Sequence, residues 1–472
     1  VNKARGLGSA SALAMLSSGV NGLSRFSINW LIGRTAGATA LGDFTSGLAV
    51  AQFMAILGPN SAGTAAAKFS AHSSLPDDDL ALEARAASAH LTLRMLQLVP
   101  FIAAAAAALT YFSFRFSIAE ASAVAVAVAG LATWALGRGV LYGRQDFGRA
   151  CAVEVGLSMS SLAAVGIAMT GGMSGAELLL PAAGLHLIYG VFLVEPLINR
   201  RPLAPSVRKE IDVFVLYATA GTIASAGFLY IVQYSLRTLV GSEQSGLFAA
   251  AMTLSTPFLM VITAFNSVFY PRLSLLWRQK RFARYSSITD RISRIIASLI
   301  LFPVVIVIVV AEGLTVLVWG NSFEGSGVLL QLFIVAVFAK GVSAVPVASL
   351  TAGPPNGMRV SAISSVLGSL IGVAALLVLV GPYGAVGAAV AYLVATIAIS
   401  LIPVVIVSRT YNFRWSKNGL KYLFAILAAL VISFADESVP IYAAVLGGAM
   451  IWLLVALPEL KEVAATLFKS AR

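Results

Sequence analysis

The stretch SASALAMLSSGVNGLSRFSINWLIGR, residues Ser9 to Arg34, is long and apolar enough to cross a bilayer, yet it carries an arginine. Ser18, Asn21, Arg25 and Asn29 follow at spacings of three, four and four residues, which puts a polar stripe on one helix face. Leu13, Leu16, Val20, Leu23 and Ile28 cover the rest of the surface. An ionisable group at helix centre costs about 2.5–3.5 kcal/mol on insertion scales. Arg25 is therefore expected to face a protein-lined or water-filled interior that a negatively charged partner can enter.

The whole chain follows this segment. Of its 472 residues 59% are hydrophobic and 11% charged, and the mean hydropathy is +0.90. Soluble domains run near 45–50% apolar and about 25% charged, so this is an integral membrane protein. The sole cysteine, Cys151, leaves no internal disulfide, and His72, His90 and His186 are too scattered for a metal site of recognisable spacing. No cofactor is signalled. The run after Asn2-Lys3-Ala4-Arg5 carries Asn21 and Arg25 and continues past signal-peptide length, so it reads as a retained first span.

Windows of about 20 residues predict an all-α polytopic protein of fourteen spans. The first six are Ser9–Ile32, Asp43–Ala62, Leu93–Phe112, Ala121–Leu141, Ala150–Thr170 and Leu178–Ile198. Six more follow at Asp212–Leu236, Gly246–Tyr270, Ile295–Trp319, Val328–Leu350, Val360–Val380 and Ala385–Val407. Leu420–Ala435, which is short, and Ile441–Leu457 close the series. With this numbering 27 of the 32 Lys and Arg residues fall on the side of the two termini. Only Arg34, Arg115 and Arg237 lie opposite, and Arg25 and Lys340 lie within spans. The positive-inside rule then sets both termini in the cytoplasm, and it accounts for the net charge of +12 without nucleic acid.

Asn199-Arg200-Arg201-Pro202-Leu203-Ala204-Pro205 is a basic, proline-containing linker. It divides the chain into an N-terminal lobe (1–198), a cytoplasmic linker (199–211), a C-terminal lobe (212–408) and a terminal helix pair with its tail (409–472). The two six-helix lobes echo each other. Ser46-Gly47-Leu48 recurs as Ser245-Gly246-Leu247 and Lys68-Phe69-Ser70 as Arg272-Leu273-Ser274, at offsets of 199 and 204 residues. This is the pattern of an internal duplication, the usual origin of two-lobed transporters. Asp77, Asp78, Asp79, Glu83, Arg85 and His90 read as a solvated lead-in to span 3. The loop 271–294 interleaves seven cations with Leu275, Leu276, Trp277, Phe282 and Tyr285, and is expected to lie on the anionic inner leaflet. The outer loops are short and hold no catalytic domain.

Inside the spans Lys340 matches Arg25 in type, and the two together need stabilisation. An ion pair with Glu154 of span 5 is the structural option, and contact with an anionic substrate is the functional one. Tyr230, Gln233, Tyr234 and Arg237 form a second stripe on span 7, either lining the cavity or serving as interfacial belt residues with Arg237 snorkelling outward. Gln52 and Asn266 sit at comparable places in the two lobes, as cavity groups or interhelical glue. Glu154 is also the candidate ion-coupling carboxylate, although pairing is its simpler role. His186 reads as a packed histidine. No phosphate loop and no nucleophile with a placed base is present, so neither ATP nor enzymatic chemistry is indicated.

Three diffuse signatures carry a family resemblance: Leu31-Ile32-Gly33-Arg34 through Ala40-Leu41-Gly42-Asp43-Phe44; Trp319-Gly320-Asn321-Ser322-Phe323 before Leu330-Gln331-Leu332-Phe333; and Gly381-Pro382-Tyr383-Gly384-Ala385-Val386-Gly387-Ala388-Ala389. With them the chain resembles the Wzx-type polysaccharide flippases of the multidrug/oligosaccharidyl-lipid/polysaccharide (MOP) exporter superfamily. The resemblance implies two six-helix lobes around a cationic cavity. It also implies alternating access that moves an undecaprenyl-pyrophosphate-linked oligosaccharide from the inner to the outer leaflet of the bacterial cytoplasmic membrane, alongside other polysaccharide assembly proteins. Energy would come from a proton or sodium gradient or from the membrane potential. A lipid II flippase is an alternative: Ser24-Arg25 and the terminal helix pair suit it, although Asn29-Trp30 stands near where an Arg-Asp pair is expected. A MATE-like cation or drug antiporter is the other alternative and would rely on Glu154. A sugar polymerase or ligase would need a large outer loop that the chain lacks.

Overall fold

The computed structural model describes residues 2–70, 78–194, 203–354, 356–411, 416–433 and 441–470. Those residues are almost wholly helical and contain no strand. The first helices are α1 (Asn2–Ile56), α2 (Pro59–Phe69), α3 (Asp78–Phe114), α4 (Ile118–Gly143), α5 (Phe147–Thr170), α6 (Leu179–Leu193), α7 (Pro205–Thr222) and α8 (Phe228–Leu239). They are followed by α9 (Ser242–Arg278), α10 (Phe282–Trp319), α11 (Gly327–Ala352), α12 (Gly357–Tyr411), α13 (Ser416–Ser433) and α14 (Ile441–Ser470).

These helices match the predicted spans once the breaks are placed. α1 holds spans 1 and 2, separated at Gly37, where φ is 81°; α12 holds spans 11 and 12, separated at Gly384, where φ is 54°. Both turns need the left-handed region that glycine enters without a Cβ penalty. α2 continues span 2 past a 49° bend. Span 7 is α7 and α8 joined by a π-helical turn, Ile223–Gly227. By length and composition ten of the described helices can cross a membrane, or eleven if the bent pair counts as one span, and the described apolar part of α13 is short, Gly419–Ser433. The protein is a multi-pass membrane protein. Prolines 100, 303 and 346 sit inside α3, α10 and α11, as is common where neighbouring helices re-satisfy the freed carbonyls.

Two segments differ from expectation. Residues 199–202 of the linker lie outside the described residues, while Pro205 to Ile211 form the first turns of α7 rather than a loop, with proline at the helix start, where no N–H is needed. The predicted loop 271–294 is mostly helical: α9 runs to Arg278 and α10 starts at Phe282. Leu273, Leu276 and Tyr285 are buried with Ala348, Trp277 lies edge-on to Tyr285 at 5.3 Å, and the Tyr285 hydroxyl donates to the Ser349 carbonyl at 2.5 Å. The apolar residues of this segment thus face two ways. Leu276 and Tyr285 lock the α9–α10 turn onto α11, and Leu275 and Phe282 stay exposed.

The chain forms two compact units, Val1–Ala249 and Ala250–Arg472. In the first, α4 is the central helix, packed on α2, α3 and α6, and its start is fixed by a Ser117/Glu120 capping box. The close packing depends on missing side chains: a Cβ on Gly63 would meet the Ala135 carbonyl oxygen at 2.4 Å, and one on Gly139 would meet that of Gly63 at 2.1 Å. In the second unit α10 packs on α11, and α13 and α14 pack along α10. Tyr422 of α13 hydrogen-bonds Ser298, Trp452 of α14 donates to the Ser298 carbonyl, and Gln331 of α11 donates to Ser433.

The first unit also contains a crossing between the second half of α1 and the start of α9. A Cβ on Gly42 would lie 1.8 Å from the Ser242 carbonyl oxygen, and one on Gly246 would lie 1.8 Å from that of Ala38. With an offset of 204 residues the two contacts are the same contact: Gly42 maps onto Gly246 and Ala38 onto Ser242. That offset also relates Lys68-Phe69-Ser70 to Arg272-Leu273-Ser274, so the Ser46/Ser245 echo at 199 lies off the register of this crossing. The two serines nonetheless hydrogen-bond each other, Oγ to Oγ at 2.7 Å.

Candidate functional site

Arg25 lies on the half of α1 that precedes Gly37. Leu16, Leu23 and Trp30, seven residues apart, form an exposed apolar stripe suited to lipid. Ser17, Asn21, Ser24 and Ile28 form the face against α5. Arg25 is two residues beyond Leu23, about 200° round the helix, so it points away from the lipid stripe. It is exposed, and among the described residues it makes no ion pair with a carboxylate. Its charge acts on His186 of α6 and on Tyr230 of α8. His186 and Tyr230 thus lie within electrostatic range of the guanidinium, and with no described carboxylate paired to it an anion entering there meets an unneutralised cation.

Glu154 is not the partner of Arg25. Its carboxylate, 1% exposed, accepts the Ser17 hydroxyl at 3.2 Å and the Asn21 amide at 2.5 Å, and lies 3.8 Å from the Arg138 guanidinium. Ser24 Oγ adds a bond to the Ser158 carbonyl at 3.1 Å. Arg138, near the end of predicted span 4 and counted on the side of the termini, sits within α4 and reaches back to the carboxylate. Glu154 thus ties α1, α4 and α5 together and fixes the rotation of the helix that carries Arg25. Asn21 belongs to this tie. Asn29 is half-buried and engaged with neighbouring protein groups.

The second stripe divides in the same way. Tyr230 is half-buried, whereas Gln233 is 4% exposed and engaged within the protein. Tyr234 donates to Ser113 Oγ at 2.9 Å. Arg237 does not snorkel outward: its Nε donates to Asp43 Oδ1 at 2.8 Å and its Nη2 to the Phe114 carbonyl at 3.3 Å, with Phe114 and Phe116 under its plane. Its fork is occupied, so Arg237 is an internal clasp between α8, α1 and the end of α3. Sequence placed Arg237 on the span 7 stripe and Asp43 at the start of span 2 and did not join them. Gln52 is half-buried on α1, and the side chain of Asn266 lies outside those described.

In the second unit Lys340 of α11 is half-buried and donates to the Tyr392 hydroxyl of α12 at 2.7 Å, its ammonium also 5.1 Å from that ring's centre. Tyr392 packs against Phe333, and one turn on Ser343 bonds Ser400. No described carboxylate pairs with Lys340. The ammonium is held by a neutral hydroxyl and a π-face, which orients it without cancelling its charge. No group of His, Cys, Asp and Glu among the described residues is arranged to hold a metal ion.

No family model matches the sequence, and no curated protein matches it. Solved structures do. A structure titled as the lipid II flippase MurJ in an inward closed conformation is 12% identical and covers 95% of this chain and 98% of its own, with a TM-score of 0.70. An inward-facing multidrug resistance MATE family transporter of the MOP superfamily is 14% identical, covering 83% of this chain and 94% of its own, at 0.69. A MOP superfamily transporter from Pyrococcus furiosus, also 14% identical, covers 85% and 94%, at 0.54. At these identities the likeness is one of fold. This chain has the helical transporter fold shared by MurJ and the MATE proteins.

Proposed function

We propose that this protein is a flippase that moves an undecaprenyl-pyrophosphate-linked oligosaccharide across the bilayer by alternating access. Arg25 is the observation that carries the reading. It is a cation within a membrane-length helix, turned from the lipid stripe and left without a carboxylate, while Arg237 and Arg138 have carboxylates of their own. A diphosphate is the ligand class that such a site lacks and would hold by charge-assisted hydrogen bonds. Lys340, which donates to Tyr392, is proposed as a separate cationic contact in the second unit. Tyr230, Gln52 and Asn29 are the neutral groups proposed to face the sugar, and Asn266 is a further candidate from its place in the sequence alone.

In this reading both termini are cytoplasmic, 1–198 and 212–408 are the duplicated lobes, and 409–472 is the terminal pair. Glu154 is read here as a tie rather than as the coupling group; a cation or drug antiporter is a further alternative, supported by the likeness to a MATE transporter over 83% of this chain. A lipid II flippase is the second reading, favoured by the extent of the MurJ likeness, which covers 98% of that chain and 95% of this one. Both substrates present a diphosphate.

The test is translocation of fluorescent undecaprenyl-pyrophosphate-linked oligosaccharide, and separately of lipid II, in proteoliposomes. Two charge-assisted bonds at about 1.5–3 kcal/mol each predict a loss of roughly 100-fold or more in Arg25→Ala. The unfolding temperature should stay unchanged, because no described ion pair is broken. Wild-type rates in Arg25→Ala and in Lys340→Ala overturn the site.

A further inference from the structure

Two contiguous cavities lie beside α3 and α7, away from the Arg25 site. The first, about 510 Å³, is lined by Arg94, Arg208 and Lys209 with Leu203, Pro205 and Leu216. The second, about 480 Å³, is apolar, bounded by Leu91, Met95, Leu98, Phe101 and Val215. They share Arg94 and Asp212. The carboxylates at this place are already satisfied. Asp212 receives His90 on Oδ1 at 2.9 Å and Arg94 on Oδ2 at 3.2 Å, and Glu210 is held by Lys68 at 3.2 Å. Arg208 and Lys209 pair with no described carboxylate. Three cations thus line the mouth against one carboxylate, Asp212, which His90 and Arg94 already hold.

The polarity is also ordered in depth. Asp212, near the start of α7, meets His90 and Arg94 of α3, and Phe101 lies seven residues past Arg94, about 10 Å farther along the axis. Phe101 and Leu216 are exposed, 75% and 66%, as expected of side chains against an acyl chain rather than water. A cationic mouth above an apolar trough of this length is the shape of a phospholipid headgroup with the upper part of its tail. We propose that the α3–α7 surface binds an anionic glycerophospholipid from the leaflet on the linker side, its phosphate at Arg208 and Lys209 and an acyl chain along Leu98 and Phe101. The site is independent of the transported substrate.

The full chain is reconstituted in phosphatidylcholine vesicles with a trace of photoactivatable phosphatidylglycerol or, in parallel, photoactivatable phosphatidylcholine, and cross-linked peptides are mapped by mass spectrometry. Phosphatidylglycerol should label residues 91–101 and 208–216 about 25-fold more than phosphatidylcholine does, since each of the two cations near a membrane surface contributes roughly fivefold. Arg208→Gln with Lys209→Gln breaks no described ion pair; it should abolish that preference while leaving labelling of the 272–294 segment unchanged. Equal labelling by the two lipids, or an undiminished preference in the double variant, overturns the proposal.

Discussion

Replacing Glu154 separates a structural tie from an ion-coupling group. Its carboxylate accepts from Ser17 and Asn21 and lies 3.8 Å from a half-exposed Arg138. In Glu154→Gln the amide oxygen still takes the Asn21 donor, but the bond falls from the charged class, about 1.5–3 kcal/mol, to the neutral one, about 0.5–1.5. Ser17 turns its hydroxyl round to accept from the new amide. The Arg138 pair, long and half-exposed, contributes about 0–1 kcal/mol. The expected loss is therefore about 1–2 kcal/mol, a small fall in unfolding temperature, with translocation retained. Glu154→Ala instead strands the Asn21 and Ser17 donors and the Arg138 charge around a cavity and should cost about 3–5 kcal/mol. Thermal unfolding of purified protein in detergent gives both values, and gradient-driven transport in proteoliposomes gives the function. If Glu154→Gln unfolds like wild type yet loses all gradient-dependent transport, Glu154 is a coupling carboxylate and the assignment as a tie is wrong.

Three further outcomes follow from the same geometry. Gly246→Ala drives a Cβ into the Ala38 carbonyl and should destabilise by about 1–3 kcal/mol or more, whereas Gly19→Ala, with no atom within 4 Å of its Cβ, should stabilise or leave the unfolding temperature unchanged. Asp43→Asn and Arg237→Gln should each lower stability, and a double-mutant cycle should return a coupling of about 1–3 kcal/mol, because the pair is close, partly buried and hydrogen-bonded; additive losses count against the clasp. Lys340→Met should leave thermal unfolding close to wild type while slowing translocation about tenfold, the effect of one charge-assisted bond at its lower limit, and Tyr392→Phe should slow it less.

The membrane class and the helix sequence were legible because hydropathy is a local, additive property of about 20 consecutive residues. Fourteen windows could be drawn without knowing which helix touches which. The breaks at Gly37 and Gly384 fell between windows for the same reason. The segment 271–294 misled because its aromatic and basic mixture suits a leaflet and a helix–helix turn equally, and only packing on Ala348 and Ser349 assigns Tyr285 inward.

For the charged groups the sequence determined that cations lie within or beside the spans, since inserting each has a cost that demands an explanation. Tertiary structure decided which of them are spoken for. Asp43 and Arg237 are 194 residues apart, and Arg138 and Glu154 lie on different helices whose facing sides no periodicity specifies. Pairing depends on the rotation and depth at which two helices meet, to within a few tenths of an ångström. Among the described residues Arg25 stands out as a cation of α1 inside the span with no carboxylate partner only after those partners have been assigned elsewhere.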